Sequence, residues 1–155
     1  MSFTGSSSEA FAREACTQLG VALAITGLAG FATPHFPGLD TGFAHATLLM
    51  TTGALGIVVG GMTRPDVAMG FAAAVGEVFL LLGILGFVVG EPVATPHADG
   101  PTSVLRLGAL ELGAFDHVLH LLIGAVFAGA AWIAWSRSER TRPHIAGTPT
   151  IHTHA

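Results

Sequence analysis

The chain has 155 residues, 51% of them hydrophobic and only 10% charged, with a mean hydropathy of +0.67. Most of its surface is therefore not meant for water, which is a membrane composition. The net charge is −4 with six arginines and no lysine, so there is no basic stripe for nucleic acid, and the single cysteine, Cys16, excludes an internal disulfide or a Cys-ligated zinc site and reads as a small apolar filler.

Residues 1–14 form a polar lead-in, SSSEAFAREA at its end, that carries two glutamates and an arginine; it is not the start of a cleavable signal peptide, so the span that follows is expected to be retained. Four apolar segments then follow at residues 15–33, 42–62, 67–89 and 113–135. Each has the length at which about 20 helical residues cover a hydrocarbon core, and none shows the alternation of a barrel strand. The predicted fold is all-α, an integral membrane four-helix bundle over residues 15–136, with a flexible tail over 137–155. The connections TPHFPGLD, TRPD and EPVATPHADGPTSVLRLGALE read as loops, because Pro, Gly and Asp break helices there.

Arginine placement orients the bundle. Arg13, Arg64, Arg137, Arg140 and Arg142 fall in the N-terminal segment, the middle loop and the tail, and Arg106 alone falls in the other two loops. The positive-inside rule then places both termini in the cytoplasm, with Trp132 and Trp135 at the inner interface.

The chain also repeats itself. Gly20, Gly27, Gly30 and Phe31 recur 56 residues later as Gly76, Gly83, Gly86 and Phe87, while GFAHATLLMTTG aligns with GAFDHVLHLLIG, setting His45 against Asp116 and Gly53 against Gly124. This predicts a two-plus-two internal repeat of parallel halves. Glycine, 21 residues in all, further predicts close helix contacts, with Gly56/Gly60, Gly86/Gly90 and Ala125/Gly129 at packing spacing.

Five histidine, aspartate and glutamate residues stand inside the spans. Asp116, His117 and His120 share one arc of the fourth helix at its outer end, and His45 begins the second helix at a similar depth. One reading makes Asp116 a cap for the helix start, with the histidines hydrogen-bonding across helices. A second makes His45, Asp116, His117 and His120 a divalent-metal site, or His45 and His120 the ligands of a haem or chlorophyll, since imidazole and carboxylate suit such groups. Glu77 lies mid-span, where a charge costs about 3 kcal/mol, so it is expected to face the other helices, either on a proton or ion path or as a neutral acid bonded to Thr26, Thr51 or Thr52. The tail histidines His144, His152 and His154 are further metal candidates.

The segments GLAGF, His45 with Gly53, GEVFLLLGILGF and DHVLHLLIG together resemble the domain-of-unknown-function family 4383, small four-helix bacterial membrane proteins often found in actinobacteria. The resemblance runs over about residues 15–136, with Asp116, Leu119 and His120 matching the family's Asp-Asn-x-Leu-His and His117 standing where asparagine is usual. It implies the fold and a bacterial inner-membrane location, and no activity. No nucleotide fingerprint, phosphate loop or catalytic triad occurs, so the expectation is a non-enzymatic structural or accessory multi-pass protein, in contact with membrane lipid and acting alone, as a homo-oligomer or in a larger membrane complex.

Overall fold

A computed structural model describes residues 7–33, 35–36, 39–40, 42–62, 64–94 and 101–141. Four helices carry the fold: α1 (Ser7–Ala32), α2 (Phe43–Met62), α3 (Pro65–Val89) and α4 (Ala114–Thr141). With 26, 20, 25 and 28 residues they are about 30–42 Å long at 1.5 Å per residue. All four are long and apolar enough to cross a membrane. The helices overrun the expected spans: residues 7–14 and 136–141 are helical where a polar segment and a tail were expected, and residues 1–6 and 142–155, with His144, His152 and His154, lie outside the described residues.

The all-α expectation needs a correction in the connections. Between α1 and α2 stand two short antiparallel strands, β1 (His35–Phe36) and β2 (Leu39–Asp40). Between α3 and α4, β3 (Glu91–Ala94), β4 (Pro101–Leu107) and β5 (Leu110–Leu112) form a three-stranded antiparallel sheet in the order β3-β4-β5. The β4–β5 turn is two residues long and begins with Gly108 at φ +61°, the backbone that a type II′ hairpin requires and that glycine adopts without strain. Arg106 pairs across the strands with Glu111, its Nε donating over 2.7 Å, and its Nη1 lies 3.4 Å from Glu91. All the strands sit at the bundle end away from the start of α1 and the finish of α4, where Val104, Leu105 and Leu112 are buried.

Each helix buries one stripe and exposes the rest. On α2 the stripe is His45, Ala46, Leu49, Gly53, Gly56 and Gly60; on α3 it is Ala68, Ala72, Gly76, Phe79, Gly83 and Gly86. These positions recur every three or four residues, so they share a face. The remaining faces carry Ile25, Leu28, Leu55, Ile84, Leu122 and many other exposed large apolar residues, far more than a water-soluble monomer shows. Lipid is the solvent that suits such a surface.

With no hydrophobic drive between helices in lipid, association depends on close backbone contact. α1 packs chiefly on α2, and α3 chiefly on α4. A Cβ on Gly20 would stand 2.7 Å from the Gly53 carbonyl oxygen, and one on Gly124 would stand 2.6 Å from the Leu80 amide nitrogen and 2.8 Å from the Gly76 carbonyl oxygen. Only glycine permits that approach. Gly56 and Gly60 serve the same purpose against α1, and Gly86 and Gly90 lie against His117 and Ser103, whereas Ala125 is exposed and Gly129 faces open space, so that third pair does not pack here.

Polar contacts finish the helix ends. Arg13 donates from Nε to the Gly60 carbonyl at 3.0 Å and from Nη2 to the Gly61 carbonyl at 2.9 Å, covering the last carbonyls of α2. Its neighbour on the core face, Cys16, is buried as filler and also donates its thiol to the Ala68 carbonyl at 3.3 Å, tying α1 to α3. At the same end the Arg137 guanidinium lies 5.0 Å over the Phe11 ring.

Candidate functional site

The sheet-covered end gathers four of the five intramembrane polar residues named from the sequence. His45 on α2 and Asp116, His117 and His120 on α4 are each at most 1% exposed. Their placement follows from the stripes: positions 45 and 49 begin the buried face of α2, and positions 116, 117 and 120 begin that of α4. β5 runs directly into α4, so the first turn of α4 starts beneath the sheet.

Asp116 is the third residue of α4 and Gly113 precedes the helix. The Gly113 amide donates to Asp116 Oδ2 at 2.8 Å, the reach-back half of a capping box. Asp116 Oδ1 lies 3.8 Å from His45 Nδ1, so the same carboxylate faces α2. A negative group at a helix N-terminus is further favoured by the helix dipole.

The histidines meet through their rings. His120 stands edge-on to His45 with ring centroids 5.3 Å apart and planes at 71°, and edge-on to Phe79 at 5.1 Å. His117 turns away from that pair and stands edge-on to Phe87 at 5.2 Å, its ring covering the space a side chain at Gly86 would need. The expectation that these imidazoles bond across helices is corrected: no ring nitrogen of His45 or His120 has a hydrogen-bond partner. What the rings of His45 and His120 do make is aromatic edge contact, with each other and with Phe79.

The proposed ligand set assembles in part. His45, Asp116 and His120 converge, His117 does not join them, and among the described residues no group of three or more His, Cys, Asp or Glu side chains is arranged to hold a metal ion. A tetrapyrrole between His45 and His120 needs two rings on opposite sides of a plane, with centroids roughly 6 Å apart at iron–nitrogen bonds of ordinary length. Rings in edge contact at 5.3 Å leave no gap for a macrocycle.

Glu77 stands apart, and its expected place is corrected. It is exposed on the outer face of α3, one position beyond the buried Gly76, and makes no hydrogen bond or ion pair among the described residues. The hydroxyl of Thr26, one of its expected partners, donates to the Ala22 carbonyl instead. Around Glu77 runs a groove between α3 and α4, about 520 Å³ in volume, lined by Met69, Ala73, Leu80, Ala128, Trp132 and Trp135 among others. The sequence had offered a cue, since the small residues of α3 recur on a stripe that includes position 76 and leaves 77 outside it.

Compared with family models, with curated proteins and with solved structures, the chain matches none of them.

Proposed function

We propose that the chain is a non-enzymatic structural or accessory component of a bacterial inner membrane, a four-span bundle with both termini in the cytoplasm and kin to the family 4383 that its motifs resemble. The observation that carries this reading is the double use of Asp116: one oxygen takes the Gly113 amide at 2.8 Å, and the other faces His45 at 3.8 Å, with both the Asp116 and His45 side chains buried. Those contacts hold the start of α4 and the start of α2 together beneath the sheet. Asp116 thereby fastens the two helix starts, with His45 as its partner on α2.

The two-plus-two repeat is supported by its contacts. Gly20 meets Ile57 as Gly76 meets Ala128, Gly27 meets Met50 as Gly83 meets Leu121, and Gly53 meets Ala24 as Gly124 meets Leu80. Each partner is displaced by the offsets of 56 and 71 residues that the sequence alignment carries. Cytoplasmic termini are supported by the arginines at the two ends: among the described residues Arg13, Arg64, Arg137 and Arg140 stand at the end where α1 starts and α4 finishes, and Arg106 alone stands at the sheet end.

A rival reading, in which His45 and His120 hold a small divalent ion, is favoured by their four buried ring nitrogens without hydrogen-bond partners, since each such group costs about 1–3 kcal/mol if left dry. Thermal unfolding and metal content of the purified protein, wild type and Asp116→Ala, separate the two. The structural reading expects a loss of about 1 kcal/mol, the scale of a lost cap, with no stoichiometric metal or visible chromophore in either form. A stoichiometric metal that disappears in His45→Ala and His120→Ala would replace it with the ligand reading. The third reading, a proton or ion path, rests on Glu77, which is exposed in the groove between α3 and α4.

A further inference from the structure

We infer that the α3–α4 groove is a binding site for a lipophilic organic cation, with Glu77 as the counter-charge and Trp132 and Trp135 as the aromatic wall. It goes beyond the accessory role, and none of the residues of the His45–Asp116 cluster lines it.

The first argument is energetic. Glu77 is in the middle of a 25-residue span, exposed, and without a partner among the described residues. A bare carboxylate there costs about 3 kcal/mol on insertion scales, and intramembrane ionisable groups mark ligand or ion sites. The second argument is that the bundle has no use for it. Subtracting the repeat offset of 56 places Val21 at the equivalent position of α1, and Trp132 and Trp135 correspond at the offset of 71 to Gly61 and Arg64. The first half of the chain therefore builds the same helix pair with no carboxylate and no tryptophan at those places. The second half adds three side chains that its packing does not require, and all three line one groove.

The chemistry of the lining selects the ligand. Glu77 supplies the negative charge, and the remaining wall is apolar or aromatic. Trp132 and Trp135 are 65% and 54% exposed and stand edge-to-face with ring centroids 6.0 Å apart, so each keeps indole surface that its neighbour does not cover. Indole faces attract cations, more strongly when water is excluded. A volume of about 520 Å³ lies within the range of small-molecule sites. An anion would be repelled by Glu77, and a small hydrated metal ion would find a single carboxylate and no second carboxylate or imidazole in the wall. A delocalised or quaternary cation with an apolar body fits both the charge and the surface.

Trp132 and Trp135 are the only tryptophans and there is no tyrosine, so the protein's intrinsic emission reports this groove directly. The test titrates tetraphenylphosphonium into the full chain in phosphatidylcholine vesicles, with tetraphenylborate as the isosteric anion. The expected result is saturable quenching by the cation, none of it saturable with the anion, and at least about a tenfold rise in Kd for Glu77→Gln with an unfolding midpoint no lower than that of the wild type. Equal quenching by both ions, or an unchanged Kd in Glu77→Gln, would overturn the site. So would quenching by neither ion together with a dimer that Glu77→Gln dissociates, which would give the groove to a second copy.

Discussion

Adding a single methyl group to Gly124 tests whether backbone contact holds the second helix pair. A Cβ there would stand 2.6 Å from the Leu80 amide nitrogen and 2.8 Å from the Gly76 carbonyl oxygen, both main-chain atoms that no rotamer change moves. Ordinary contact needs roughly 3.4 Å, so α3 and α4 must separate by roughly 0.8 Å, a gap at which a quarter to a half of each dispersion well is lost. Overpacking of this kind costs about 1–3 kcal/mol, against which alanine returns about 0.5–1 kcal/mol of helix propensity. Gly124→Ala should therefore destabilise by about 1 kcal/mol, within a span of roughly 0–2.5 kcal/mol, in denaturant titrations in mixed micelles. The control is on the same helix: a Cβ on Gly129 meets nothing within 4 Å, so Gly129→Ala should be neutral or stabilising. Equal stability of the two variants would refute the packing argument.

Two further outcomes follow from the helix ends and the turn. Arg13→Ala removes both donors to the Gly60 and Gly61 carbonyls and should lower stability by about 1 kcal/mol, with Arg13→Lys recovering only part, as unfolding midpoints would read. Gly108→Val places a β-branched residue at φ +61° and should cost about 1–2 kcal/mol by the same assay, whereas Ala109→Ser in the same turn should change little.

The four helices were legible because a run of about 20 apolar residues has few other uses. Their ends were less so: α1 begins at Ser7 and α4 ends at Thr141, because helical hydrogen bonding continues past the point where side chains turn polar, and hydropathy registers only the latter. The strands went unread because β3 to β5 occupy a single connection full of helix breakers. The segment from Arg106 to Glu111 does carry a hairpin cue, with apolar Leu107 and Leu110 beside the charged pair and Gly108 between.

Asp116 was legible as a cap from its place at the start of an apolar run, and its nearness to His45 followed from the repeat alignment. The ring orientations were not, since edge contacts with Phe79 and Phe87 depend on which neighbours the helix crossing supplies. Glu77 was misplaced because the cost of a lipid-facing charge was weighed and the small-residue stripe through Gly76 was not.

The proposed four-span bundle sets its sheet on one side of the membrane and the start of α1 and the finish of α4 on the other. Its most direct test is labelling of single cysteines, in a Cys16→Ala background, with a membrane-impermeant maleimide. Ala109→Cys sits in the exposed β4–β5 turn and Arg64→Cys in the exposed α2–α3 connection. The account expects Ala109→Cys to react in intact cells and Arg64→Cys to react only after permeabilisation. Reaction of Arg64→Cys in intact cells, or equal reaction of both positions, would contradict it.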